Sequence, residues 1–162
     1  MKRVILTPNP YRDHNFQTVR NAMEILQNAG IQTKLCLPFD VDRSYELPKD
    51  LRFSRLDREL PRADCVICFG GDGTILHTAK DCLEYDKPIL GINLGRMGFL
   101  ATCEVNEMQA KLTRLAKGQF QCDKRMLLNA IVDDDASNAQ TALNDVVIYK
   151  GHRLQTIDFN IY

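Results

Sequence analysis

The sequence lacks an excess of charge of either sign, with 21 Lys and Arg against 21 Asp and Glu. A neutral chain has no electrostatic pull toward nucleic acid or anionic membrane, so neither is expected as a partner. It also lacks any apolar run near the ~20 residues that cross a bilayer. The opening Met1-Lys2-Arg3-Val4-Ile5-Leu6-Thr7-Pro8 is too short to be a secretory core and is broken by Pro8. These absences point to a cytoplasmic protein. The three histidines, His14, His77 and His152, have no metal-ligand spacing, so no protein-held metal is expected. His77 reads as packed or solvated.

Six cysteines are present, but little suggests disulfides. Cys36, Cys65, Cys68, Cys82, Cys103 and Cys122 lie mostly in apolar segments, as small buried hydrophobes do. Cys65-Val66-Ile67-Cys68 has C-x-x-C spacing within an expected strand. Positions three apart on a strand point to opposite faces, so the sulfurs should diverge and remain structural.

Along the first two-thirds, strand patterns alternate with helix patterns. Residues 3–7 read as a strand, followed by the loop Thr7-Pro8-Asn9-Pro10. Asp13 is placed to cap a helix carrying Phe16, Val19, Ala22, Met23, Leu26 and Ala29, which Gly30 ends. A strand is expected over 32–37, then a charged surface excursion over 40–62 with one short helix. Residues 64–69 form an almost wholly apolar strand, as one buried on both faces should be. Ile75, Leu76, Ala79 and Leu83 predict a helix to about Tyr85, and 88–92 a further strand. Asn106 is expected to cap a helix carrying Met108, Leu112 and Leu115, stopped at Gly118. This alternation predicts an α/β domain with a Rossmann-like parallel sheet. Beyond Gly118, residues 120–132, 142–150 and 154–162 read as three strands without a helix between them. The expected division is 1–118, the α/β nucleotide-binding domain, and 119–162, the first strands of an incomplete all-β domain. The alternation Ile157-Asp158-Phe159-Asn160-Ile161-Tyr162 has the look of a sheet cut short.

The sharpest motif is Gly70-Gly71-Asp72-Gly73-Thr74, between the buried strand and a helix. Glycine allows positive φ and close approach of a ligand to the backbone. The helix start offers unpaired N–H groups and partial positive charge, which together make a phosphate site. The bland alternative is a tight turn with Asp72 as a simple cap. Two other phosphate motifs do not fit. No G-x-x-x-x-G-K-[ST] run occurs, and a G-x-G-x-x-G reading from Gly71 meets Leu76 at its third glycine. A carboxylate among phosphate-binding amides asks for a reason. Asp72 would either accept a hydrogen bond from a sugar hydroxyl during phosphoryl transfer or hold a divalent cation.

Phosphofructokinases, diacylglycerol or sphingosine-type lipid kinases and NAD kinases all carry such a loop. The flanks of this sequence resemble the last family. Gly91-Ile92-Asn93-Leu94-Gly95-Arg96-Met97-Gly98-Phe99-Leu100 resembles its second signature and Ala142-Leu143-Asn144-Asp145-Val146-Val147-Ile148 its third. The Gly-Thr-x-Asn-Asp motif of lipid kinases is absent. The resemblance implies a phosphofructokinase-like α/β fold followed by a β-rich domain. It implies phosphoryl transfer from ATP or polyphosphate, with a divalent cation such as magnesium, to the adenosine 2′-hydroxyl of NAD. Asp72 then matches the family's catalytic aspartate. Gly71, Gly73 and Thr74 match the loop at the pyrophosphate and ribose. Phe99 matches an aromatic of the adenine pocket, with core packing as the alternative. Asn144 and Asp145 match the pair binding sugars and bases, with a plain turn as the alternative. Arg96 would face phosphate or solvent. Gln155, beside His152 and Arg153, stands where the family often has a basic residue. The family completes its NAD site with a Gly-Thr-Ala-Tyr-type motif, often across a subunit interface, so a homo-oligomer is implied. This chain ends before that motif, so it is expected to be weakly active or inactive alone.

Overall fold

The computed structural model describes residues 1–95, 98–132, 135–143 and 145–147. Two compact units divide the chain, Met1–Cys122 and Asp123–Tyr162.

The first unit is wound around a six-stranded parallel sheet: β1 (Arg3–Pro8), β2 (Gln32–Cys36), β3 (Phe53–Ser54), β4 (Cys65–Gly70), β5 (Ile89–Asn93) and β6 (Cys103–Glu104). Their spatial order is β3-β2-β1-β4-β5-β6. This is the order of doubly wound nucleotide-binding sheets, and its direction of winding reverses between β1 and β4. The helices are α1 (Gln17–Asn28), α2 (Leu56–Glu59), α3 (Asp72–Leu83) and α4 (Met108–Ala116).

Strand alternation sorts the core into two layers. Val4 and Leu6 of β1 and Cys65, Ile67 and Phe69 of β4 pack with Val19, Ala22 and Leu26 of α1 and Leu112 and Leu115 of α4. Ile5, Val66 and Cys68 face the other way, onto Ile75 and Cys82 of α3 and onto Leu60. Cys65 and Cys68 therefore lie on opposite faces, and both are free thiols. Burial pushes the Cys65 thiol up to about 12 and raises that of Cys68, so neither is an active thiolate.

Local chemistry explains where the elements start and stop. Asp13 caps α1 from a distance: its two oxygens accept the N–H groups of Thr18 and Val19, each at 2.9 Å. A single 3-10 turn, His14–Phe16, intervenes, with Asn15 and Phe16 in the left-handed region. Gly30 (φ 78°) and Gly118 (φ 72°) follow α1 and α4, where a left-handed residue ends a helix.

Several expectations are corrected. Asn106 does not cap the last helix: Glu104 and Glu107 form a reciprocal capping box around the turn Val105–Glu107 that leads into α4. The two-residue strands β3 and β6 extend the sheet beyond the four strands expected. Residues 120–132 are not one strand. Only β7 (Leu128–Ala130) is extended and paired, antiparallel to β8 (Gln140–Ala142). Met126 and Val132 on either side are 81% and 63% exposed. An apolar segment forms a strand only where a partner covers it, and the partner here is three residues long. Residues 145–147 are not strand, and 148–162, with the expected last strand, lie outside the described residues.

Candidate active site

The glycine loop sits where β4 runs into α3, at the carboxyl edge of the sheet. Of the two properties expected of the loop glycines, positive φ is not used, whereas open access to the backbone is present at Gly71 and Gly73. None of Gly70, Gly71 and Gly73 has positive φ. At Gly70 a Cβ would overlap the Thr74 side chain, so glycine is required there for close packing rather than for backbone freedom. At Gly71 and Gly73 an added Cβ would meet nothing within 4 Å, because both face an open cleft. Thr74 N–H bonds back to Gly71 O at 3.0 Å. The N–H groups of Asp72 and Gly73 have no acceptor among the described residues, as the first turn of a helix dictates.

That cleft measures about 690 Å³ and is lined by Asn9, Arg12, Phe39, Gly71, Gly73, Thr74, His77, Leu94 and Gly95. These residues follow β1, β2, β4 and β5, so the cleft lies at the reversal of winding, where open α/β sheets take their ligands. Asn9 ties its walls together. Its N–H donates to Phe69 O at 2.8 Å, its Nδ2 to Thr74 Oγ1 at 3.0 Å, and its Oδ1 accepts Tyr11 N–H at 3.0 Å. Thr74 is buried, and its hydroxyl keeps its own proton to donate.

Asp72 is the first residue of α3, and its carboxylate is already engaged. One oxygen accepts Phe99 N–H at 2.7 Å; the other accepts Leu100 and Ala101 N–H at 3.0 and 3.2 Å. Burial pushes this carboxyl up, but the three backbone donors outweigh it and hold it below the ordinary carboxylate range. Gly98 has no room for a side chain, since a Cβ there would overlap the same carboxylate. The second signature thus docks against the first through its backbone. The Phe99 ring is 88% exposed, so it is neither core nor part of a closed pocket. Arg96 and Asn144 lie outside the described residues, as do His152, Arg153 and Gln155. Asp145 belongs to the second unit and is exposed.

Sequence reasoning missed the cleft residues Asn9, Arg12 and Phe39, and passed over His77. The signal for the first two was available, because Asn9-Pro10-Tyr11-Arg12 directly follows the first strand of an α/β unit.

Fold and cleft together define a class, the doubly wound α/β domains that take ligands at the carboxyl edge of the sheet. Comparison narrows it. The family described as the ATP-NAD kinase N-terminal domain matches residues 4–120. The chain belongs to the NAD kinase family, which decides among the three kinase families sharing the glycine loop. It is 50% identical over 91 residues to the NAD kinase of Natranaerobius thermophilus, covering 55% of this chain and 32% of that protein. It is 30% identical over 164 residues to the NAD kinase of Clostridium kluyveri, covering 100% of this chain and 54% of that protein. With the NAD kinase of Corynebacterium diphtheriae it shares 34% over 164 residues, 97% of this chain and 51% of that protein. The chain thus spans about half the length of these last two relatives. A crystal structure of yeast NADH kinase complexed with NADH has the same fold, with a TM-score of 0.65 at 17% identity, over 88% of this chain and 46% of that one.

Proposed function

We propose that the protein carrying this chain is an NAD kinase that transfers the terminal phosphoryl group of ATP or polyphosphate to the adenosine 2′-hydroxyl of NAD, giving NADP. The observation that carries this reading is a carboxylate, Asp72, fixed at the start of α3 beside a cleft of about 690 Å³ that has free loop amides, in a chain of this family. The sugar oxygen attacks the terminal phosphorus, the bond to the bridging oxygen breaks, and the hydroxyl proton is accepted as transfer proceeds. An acidified carboxylate is a poor base, so Asp72 acts chiefly by orienting the hydroxyl. Two carboxylate oxygens have about four acceptor positions, and the backbone uses three, which leaves one for the substrate. Gly71, Gly73 and Thr74 hold phosphate and Phe99 covers the adenine; Asn144 and Asp145 are assigned to dinucleotide binding on the family resemblance alone.

Among the described residues no group of three His, Cys, Asp or Glu side chains is placed to hold a metal ion. A magnesium ion, where the reaction needs one, would be held by the donor's own phosphates and would supply neutralisation of their charge. No helix among the described residues is long and apolar enough to cross a membrane. We place the protein in the cytoplasm, as a homo-oligomer without nucleic-acid partners, with its domain boundary near residue 119.

A second reading has one observation in its favour. Asp72 is largely occupied by its own chain, which suits a nucleotide-binding module without catalysis. Titration with NAD and ATP, beside an assay for NADP, separates the two: binding without NADP formation by the complete gene product supports the module.

A further inference from the structure

Asn9 follows β1, and every polar group it has is engaged. Its N–H donates to Phe69 O at 2.8 Å, and its carbonyl accepts the N–H groups of Arg12 and Asp13 at 3.1 and 2.9 Å. Its side chain can face only one way. Tyr11 N–H is a donor, so the amide oxygen must sit there, and the NH2 group must then sit on Thr74 Oγ1, 3.0 Å away. Thr74 Oγ1 is thereby an acceptor, and its own proton must leave in another direction.

The usual direction for a helical threonine is back to the carbonyl one turn earlier. Thr78 takes it, donating to Thr74 O at 3.0 Å. Thr74 makes no such bond among the described residues: Gly70 O accepts Leu94 N–H instead, at 3.0 Å. The Thr74 side chain is wedged between the Asn9 amide and the bare Cα of Gly70, where a Cβ would overlap it. The remaining exit is the cleft that Thr74 lines. We propose that Asn9 is a positioning residue: its amide sets the direction of the Thr74 hydroxyl proton, which Thr74 then presents to a ligand oxygen. This rests on the kinase reading, in which Thr74 touches the substrate, and adds a residue that acts on Thr74 from behind.

The test is Asn9→Asp. One carboxylate oxygen still accepts Tyr11 N–H, but the other puts an acceptor where a donor was, so the Thr74 hydroxyl turns and donates to it. The new charge also repels anionic ligands. A double-mutant cycle with Thr74→Val separates the two effects, because repulsion acts in both backgrounds and divides out, whereas the reversal needs the hydroxyl. The complete gene product is assayed for NADP formation from NAD and ATP as parent, single variants and double variant, each where circular dichroism shows it folded. Dissociation constants for NAD and ATP are measured on the same proteins. Loss of a hydrogen bond to a charged ligand predicts that Asn9→Asp lowers kcat/KM roughly 10- to 150-fold more with Thr74 present than in the Thr74→Val background. Thr74→Ser keeps the hydroxyl and should retain this excess; its loss there would assign the coupling to the methyl group and overturn the proposal. If Asn9→Asp does not fold, Asn9→Ser carries the same cycle, since its short hydroxyl still accepts Tyr11 N–H but no longer reaches Thr74, with an excess of roughly 3- to 10-fold. An excess below about threefold overturns the proposal and leaves the kinase reading standing. Coupling seen in binding, by a gene product that forms no NADP, does the reverse. A gene product that binds neither nucleotide overturns both.

Discussion

Asp72→Asn replaces one carboxylate oxygen by an NH2 group at a position surrounded by donors. In the parent, Phe99, Leu100 and Ala101 all point N–H groups at this side chain, at 2.7, 3.0 and 3.2 Å. The asparagine oxygen can keep Leu100 and Ala101, but then its NH2 group faces the Phe99 N–H, donor against donor. One charge-assisted bond is lost and two become neutral. Hydrogen bonds to charged groups contribute about 1.5–3 kcal/mol and neutral ones 0.5–1.5, and this loop is partly exposed, so the low ends apply. The expected cost is about 3.5 kcal/mol. In a domain of this size that lowers Tm by roughly 10–18 °C at neutral pH. The folded carboxyl is held below its ordinary range. Its contribution is therefore present above the unfolded pKa, about 4, and is lost as pH falls through the lower folded value. The gap between parent and variant should narrow as pH falls below about 4. Melting followed by circular dichroism at neutral pH and across the acid range is the assay. A neutral-pH Tm within about 2 °C of the parent would refute the clamp, since a side chain holding three donors cannot be altered so cheaply.

In native protein a thiol reagent should modify Cys122 quickly and Cys36, Cys65, Cys68, Cys82 and Cys103 slowly, because only Cys122 is exposed; rapid labelling of Cys65 or Cys68, or zinc retained by them in native mass spectrometry, would contradict the opposed-face assignment. Gly70→Ala should destabilise the fold by about 1–3 kcal/mol through overlap with Thr74, and Gly73→Ala by well under that, since its added methyl meets nothing; equal urea midpoints for the two would refute the packing argument. The 162-residue chain, which spans about half of its longer relatives, should form NADP far more slowly than those full-length relatives do; turnover within about tenfold would show that the acceptor site lies wholly in these residues.

The elements legible in the sequence were those long enough to carry a period. Val4-Ile5-Leu6 and Val66-Ile67-Cys68 announced strands buried on both faces, and Val19, Ala22 and Leu26 announced a helix. Phe53–Ser54 and Cys103–Glu104 were not legible, because two residues have no period; they pair only because the sheet presents an open edge. Residues 120–132 misled in the opposite direction, since apolar residues without a helical period show that a segment can form a strand but not that a partner exists. The glycine loop was legible as a motif, although its glycines act through space rather than through φ. The clamp between Asp72 and Phe99–Ala101 joins residues 27 to 29 positions apart by backbone N–H groups, which every residue type possesses and no motif marks. Asn9 and Arg12, Phe39, and His77 come from three separate segments that only the strand order brings to one cleft.

The central claim is that Asp72 orients the acceptor hydroxyl for phosphoryl transfer, and NADP formation measures it directly. The complete gene product is assayed with NAD, ATP and magnesium, as parent and as Asp72→Asn, at a temperature where both are folded by circular dichroism. The account predicts NADP from the parent and a rate lower by ~10²–10⁴ in the variant, the usual loss when a group acting on the transferred proton is removed. A folded Asp72→Asn protein that makes NADP at nearly the parental rate would contradict it, leaving Asp72 as a clamp on the Phe99–Ala101 loop and nothing more.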